Sequence, residues 1–264
     1  MQSPLLFYLT YIEKVPDDTA VPVCYSISGN LVHSCLEKYA NKEFDRDGVC
    51  MFFATQWAMQ NLDIHLNIKN EVLNKEDYFL ALIRGMSIVD SHDNHVCEEM
   101  IKFPFVENEV MKIGIKGIVD LQATPKGDNE LVVIDYKTSN SINESKDFER
   151  QALFYNFLIH KKSGVLPKKT VFHYLKHGVP KVYSFSHDDI RAFEEELRII
   201  ANQILEYGAD INKYPIGEIN DLFNSKKQAC LREVARRGIF SDKSYMGKIQ
   251  TIHESVDWGS FSPD

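Results

Sequence analysis

The chain has 264 residues, 44% of them hydrophobic and 26% charged, with a formal charge of -8. That length holds one large domain, or a domain with an inserted lobe, and buries a sizeable core. The acidic balance excludes a protein that coats nucleic acid by global attraction, although a local basic groove remains compatible with it. No stretch reaches the roughly eighteen consecutive apolar residues of a membrane span, and the opening "SPLLFYLTYI" has no basic n-region or small-residue cleavage site. We therefore expect an intracellular protein without membrane contact, cytoplasmic by default, with organellar or phage origin left open. The five cysteines, Cys24, Cys35, Cys50, Cys97 and Cys230, are scattered without a C-x-x-C pair, which fits reduced, buried thiols better than disulfides or a zinc site.

In chain order, "GNLVHSCLEKYANKEF" spaces Leu31, Val32, Cys35, Leu36 and Tyr39 as a helix, with Ser28 or Asn30 available as its cap. Residues 51–90 read as mostly helical and place a helical lobe at about 46–98. From about 100 the pattern turns to strands: "MIKFPFVE", "MKIGIKGIVDLQAT" and "ELVVIDYKT", the last two joined by the turn-rich "PKGDN". Then follow a helix over "KDFERQALFYNFLIHKK", a hairpin around Gly178 and Pro180, and a long helix ending at Gly208. This order predicts an α/β fold, a central mixed β-sheet flanked by helices with an inserted helical lobe. With no repeat or long linker, residues 1–250 read as one domain, its core at about 99–208. The region 209–250 is basic, with Lys226, Lys227, Arg232, Arg236, Arg237, Lys243 and Lys248 against Glu233 and Asp242. It is either a solvated helix face or a phosphate-binding surface. Residues 251–264 are polar and punctuated by Gly and Pro, and we expect a mobile tail.

The strand "LVVIDYKT" ends on charge. Leu131, Val133, Asp135 and Lys137 share one face, and a charged pair on a largely buried strand is costly unless partners or a metal compensate. Asp120 ends the apolar run "GIKGIVD" on the preceding strand. Any hairpin register that pairs even with odd positions puts it on the face of Asp135 and Lys137. Two such carboxylates suit magnesium or manganese, and the lysine adds a charge able to serve an attacking water. The plain alternative is an exposed ion pair worth little. His33 is open to a similar alternative, pairing with Glu37 one turn on. Gln151 and Tyr155 lie on one helical face with Phe148 and Ile159, so the glutamine interrupts an apolar stripe and needs a partner, if only a helix-boundary hydrogen bond.

Taken together, G-I-V-D, then V-V-I-D-Y-K-T-S, then Gln151 and Tyr155 as Q-x-x-x-Y resemble the PD-(D/E)XK nuclease superfamily, with its restriction-endonuclease-like core. The G-x-x-x-H-x-x-x-E spacing of Gly29, His33 and Glu37 and the opening "SPLLFYLTYIEKV" resemble its RecB-type branch in particular. The resemblance implies that His33, Asp120, Asp135 and the backbone carbonyl of Tyr136 ligate the metal. It further implies that Lys137 serves the nucleophile and that Gln151 and Tyr155 support the site and the nucleic-acid strand. A mixed N/O donor set tolerates manganese as well as magnesium. Many members of this branch hold an iron-sulfur cluster through one N-terminal and three C-terminal cysteines. Here Ser3 stands where the first often lies and only Cys230 stands in the C-terminal region, too few ligands for a cluster. No cluster is expected, and helix packing must hold the chain ends. The cluster-free exonucleases of mitochondria and phages are closer models than the CRISPR adaptation nucleases. The function implied is metal-dependent hydrolysis of DNA from linear, single-stranded ends. The alternatives are a restriction-type endonuclease and a catalytically silent nucleic-acid-binding subunit of the same fold.

Overall fold

The computed structural model describes residues 3–18, 24–64, 72–142, 146–217 and 225–238. The elements in chain order are α1 (Pro4–Phe7), which runs into a π-helical turn over Tyr8–Ile12, α2 (Cys24–Ala40), α3 (Arg46–Met59), α4 (Lys75–Asp90), β1 (His92–Glu107), β2 (Lys112–Pro125), β3 (Val132–Lys137), α5 (Lys146–Ser163), β4 (Lys169–Tyr174), β5 (Val179–Tyr183), α6 (His187–Tyr207) and α7 (Lys227–Arg236), with short 3-10 turns at Leu62–Ile64 and Ile211–Lys213. They divide into two compact units, Val23–Glu206 and the paired chain ends Met1–Pro22 with Tyr207–Asp264.

The larger unit is built on a five-stranded mixed sheet in the order β1-β2-β3-β4-β5. All neighbours are antiparallel except β3 and β4, and a parallel pair needs a long crossover, which α5 supplies. The central strand β3 is covered on both faces, which explains its unbroken apolar run. Val132, Ile134 and Tyr136 pack against Val32, Leu36, Phe53, Trp57 and Leu82 of α2, α3 and α4. Val133 packs on the opposite side with Ala152, Leu158 and Phe193 of α5 and α6. Each such fully buried side chain contributes about 1.5–3 kcal/mol. The helices start where side chains accept their free amides: Asp45 accepts from Gly48 N at 2.8 Å, and Asn74 from Glu76 N at 3.1 Å.

Several boundaries differ from those the sequence suggests. Helix α2 begins at Cys24, so Ser28 and Asn30 lie inside it and not at its start, because the apolar stripe reaches back through Ile27. Strand β1 begins at His92, within the expected helical lobe, as the polar "HDNHVCEE" pairs with Gln122, Leu121 and the rest of the β2 end, whose Leu121 and Ala123 are buried. The expected helix over 51–90 is α3, a short 3-10 turn and α4. Residues 65–71 lie outside the described residues, as do Lys243, Lys248 and the tail 251–264.

One irregularity positions the site. Along β1, Phe103 and Ile101 pack on the α5 side while Cys97 packs on the α2 side; along β2, Ile115 and Val119 pack on the α5 side while Leu121 and Ala123 pack on the α2 side. The odd-numbered positions thus exchange faces at the step where Glu98 stands opposite Asp120. Glu98 sits at φ 45°, a left-handed conformation uncommon for a side chain with a Cβ and typical of a local kink in a ladder. The kink leaves Glu98 and Asp120 on the α2 side, next to Cys97 and Leu121.

In the smaller unit the two chain ends share one core. Leu5, Tyr8 and Leu9 pack with Tyr214, Ile216, Cys230, Leu231 and Val234. Leu5 N donates to Pro215 O at 3.0 Å and Ser3 Oγ to Ile216 O at 3.3 Å. Asp18 accepts from Gln228 N and Ala229 N at 3.2 and 2.6 Å, capping α7 from the far end of the sequence. Packing does hold these ends together, and Cys230 is part of that packing. Cys35 is also buried, and Cys50 and Cys97 are half-buried free thiols.

Candidate active site

The charged end of β3 is held by a closed ring of four side chains. Lys137 Nζ donates to Gln151 Oε1 at 2.9 Å, Gln151 Nε2 donates to Tyr155 Oη at 2.9 Å, and Tyr155 Oη donates to Asp135 Oδ1 at 2.9 Å. Lys137 Nζ closes the ring 2.7 Å from Asp135 Oδ2, but off the angle of a hydrogen bond, so this buried oxygen has a charge contact and no hydrogen bond. The four-residue spacing of Gln151 and Tyr155 on α5 places both over the end of β3. The ammonium also lies over the rings of Phe148 and Phe172, 4.9 and 4.6 Å from their centroids. The glutamine that interrupts the apolar stripe is therefore bonded at both ends of its amide.

On the other side of the β2–β3 junction stands a second cluster. Leu121 pairs with Ile134, the even-with-odd register expected from the sequence, which sets Asp120 opposite Asp135. The kink, however, turns the Asp120 side chain toward His33 of α2 and off the face of Asp135 and Lys137 where strict alternation puts it. Asp120 Oδ2 accepts from Tyr136 N at 2.8 Å. The same oxygen lies 3.4 Å from His33 Nδ1, and Glu98 Oε1 lies 3.6 Å from that nitrogen. His33 Nε2 donates to the Tyr136 carbonyl at 2.8 Å, which leaves Nδ1 as the ring atom turned toward the carboxylates. Gly29 lets α2 come this close, since a Cβ there would lie 2.9 Å from Thr138 Oγ1. Among the described residues His33 makes no ion pair with Glu37.

His33 Nδ1 and one oxygen each of Glu98 and Asp120 lie within 4.8 Å of one another, a spacing that a single cation spans. A neutral imidazole with hard carboxylates, and the unbonded Asp135 oxygen nearby, is a donor set that fits a divalent metal. The electrostatics agree. Burial and the Asp135 charge push the Asp120 carboxyl above its ordinary range, against the pull of His33. Burial lowers the His33 ring, but Glu98, Asp120 and Asp135 outweigh it and raise the ring well above its usual value. Three carboxylates around one lysine and one imidazole leave negative charge that a cation offsets. Burial, and then Asp135, also holds the Tyr155 hydroxyl protonated.

Glu98 is the residue that sequence reasoning missed. Its signal was a pair of glutamates, Glu98 and Glu99, in the middle of a strand. The Tyr136 carbonyl, expected to face a metal, is engaged by His33 and fixes the ring's orientation. The basic residues of 226–237 belong to the smaller unit. Lys226 donates to Val15 O and Asp17, Arg232 lies 3.8 Å from Asp18, and Arg236 and Arg237 both pair with Glu233. Those cations have acid partners within the smaller unit, which favours the helix-face reading for them; Lys227 also has partners of its own. Among the described residues no helix is long and apolar enough to cross a membrane.

The family model of the PD-(D/E)XK nuclease superfamily matches residues 1–216. A search of the curated proteins found no match. Among solved structures, the chain is similar to the crystal structure of an exonuclease candidate from Eubacterium rectale, with a TM-score of 0.40 and 9% identity over 76% of this chain and 79% of that one.

Proposed function

Because the chain belongs to the PD-(D/E)XK nuclease superfamily, we propose that it is a metal-dependent DNA exonuclease that hydrolyses phosphodiester bonds from linear, single-stranded ends. The observation that carries this reading is the ring that sets Lys137 against the buried Asp135, beside His33, Glu98 and Asp120. In this reading His33, Glu98, Asp120 and Asp135 hold magnesium or manganese. The bound cation supplies an acidified water and a counter-charge for the phosphate. Lys137 is the fixed positive charge at the nucleophile's position, and it needs little reorganisation because Gln151 and two aromatic rings already hold it. Tyr155 keeps Asp135 aimed by donating to the oxygen that faces away from the lysine.

The test is a time course on end-labelled linear and closed circular single strands, with manganese, with magnesium and with chelator. Linear strands are expected to be consumed only with metal while circles persist. Asp135→Ala and Lys137→Ala are expected to abolish cleavage with the sheet intact by circular dichroism. Cleavage in excess chelator refutes the metal reading, and equal rates on circles refute the exonuclease reading.

A further inference from the structure

Beyond the kink at Glu98, β1 and β2 continue as a two-stranded arm whose α5 face is covered, Gly117 lying so close to Leu158 and Phe154 that a Cβ would clash. The opposite face is open. It carries Met100 opposite Ile118, Lys102 opposite Lys116, and Pro104 opposite Gly114. Met100 and Ile118 are 56% and 45% exposed, a high value for two apolar residues paired across strands. β3 pairs with β2 only at Leu121, Gln122 and Ala123, so the arm extends past the end of the sheet at which Asp135 and Lys137 stand.

The two lysines are the informative pair. Like charges directly opposite each other on neighbouring strands destabilise a ladder, and residues in this position usually alternate in sign. Among the described residues neither lysine has a carboxylate partner, whereas Lys112 further along the arm is paired with Glu107 and Lys162 on α5 with Glu99. The face bearing Lys102 and Lys116 is also the face onto which the kink turns Glu98 and Asp120. At about 3.3 Å per residue, the apolar pair lies roughly 7 Å and the lysine pair roughly 13 Å along the strands from those carboxylates.

Resting on the nuclease reading, we infer that this face of the β1–β2 arm is the track for the nucleic-acid strand that enters the site, with unpaired bases against Met100 and Ile118 and backbone phosphates at Lys102 and Lys116. The pattern favours a single strand. Unpaired bases offer their flat faces to apolar side chains, while a duplex hides them, and a phosphate between two lysines relieves their mutual repulsion. Met100 is unbranched and adapts to any base, which suits contact without sequence preference.

The experiment is fluorescence anisotropy with a labelled oligothymidine and with a blunt duplex of the same length. It is run in manganese on the Lys137→Ala protein, in which cleavage is suppressed, and on the same protein carrying Lys102→Ala and Lys116→Ala. Both added replacements are on exposed strand positions and, since they relieve the lysines' mutual repulsion, are expected not to lower the melting temperature. The expected result is a loss of single-strand affinity of about tenfold or more at low salt, with the slope of log affinity against log salt reduced by about 1.4, two phosphate contacts at about 0.7 each. Met100→Ser with Ile118→Ser is expected to weaken the single strand and leave the duplex unchanged. Unchanged affinity and slope in the lysine variant overturn the track, as does equal loss on duplex and single strand in the Met100 and Ile118 variant. The outcome is separable from the activity itself. Metal-dependent cleavage by the unaltered protein with an unaffected lysine variant overturns the track alone, and no cleavage together with the predicted change in slope overturns the nuclease reading alone.

Discussion

Tyr155 Oη donates to Asp135 Oδ1 over 2.9 Å, and this bond ties α5 to the end of β3 at the point where the sheet turns from packing to chemistry. Tyr155→Phe keeps the ring and removes the donor, leaving one buried carboxylate oxygen and the Gln151 amide short of a partner. We expect a loss of about 1–3 kcal/mol in stability, measured by thermal melting in chelator. Cleavage should fall by about tenfold or more, because Asp135 loses its aim. Unchanged melting together with unchanged turnover sinks this role for Tyr155.

Glu98 provides a sharper test of the metal site, since its carboxylate faces His33 Nδ1 at 3.6 Å and, among the described residues, pairs with no lysine or arginine. Glu98→Gln keeps the shape and removes the charge. Calorimetric titration with manganese should show affinity weakened by at least about tenfold, and His33→Ala should do the same. Full affinity in Glu98→Gln with a weakened His33→Ala would restrict the ligand set to His33, Asp120 and Asp135.

Helices α2 and α4 touch at Gly85, where a Cβ would come within 2.5 Å of a Leu36 methyl. Leu36 is buried and has no room to turn. Alanine is the better helix former by about 1 kcal/mol, yet the overpacking outweighs that gain, and Gly85→Ala should lose about 1–3 kcal/mol net. Denaturant unfolding of Gly85→Ala alone and with Leu36→Val checks it: the second change should restore part of the loss, and a single variant as stable as the parent refutes the packing argument.

His173 on β4, the strand neighbour of Tyr136, gives a further pH dependence. Burial, followed by the nearby His92 and Lys169, holds its ring at about 4, below the ordinary value of 6.5. The folded protein thus binds fewer protons than the unfolded chain between those values. The stability associated with the neutral ring is fully present above about 6.5 and is lost progressively as pH falls toward about 4. The ceiling is on the order of 3 kcal/mol. His173→Phe should flatten the stability curve across that window, and a curve as steep as the parent's shows that other groups carry it.

The charged end of β3 and its helical supports were legible because they depend on local spacing. Strand alternation puts Asp135 and Lys137 on one face, and a four-residue step puts Gln151 and Tyr155 above them. The hairpin register that aligns Asp120 was legible for the same reason. Glu98 was not, because its place depends on one residue entering a left-handed conformation, and alternation assumes that no strand residue does so. The start of β1 was hidden for a related reason. Its polar first turn takes its conformation from the partner strand, and nothing in its own side chains announces a sheet. The true start of α2 was obscured by two residues with good capping chemistry, Ser28 and Asn30, that the helix runs through.

The core shared by Leu5, Tyr8, Cys230 and Val234 is made from opposite ends of one chain, and this orders events during synthesis. Every strand of the sheet and the helices α2 to α6 that cover it have emerged by residue 207, so that unit's layers have their partners while the chain is still growing. The core partners of Leu5, Tyr8 and Leu9 come last. These three side chains wait until α7 is made, and at about 5–20 residues per second that wait lasts roughly ten seconds or more. During it Leu5, Tyr8 and Leu9 lack the side chains that bury them in the folded protein. Removing either residues 3–12 or α7 also takes half of this core from the segment that remains.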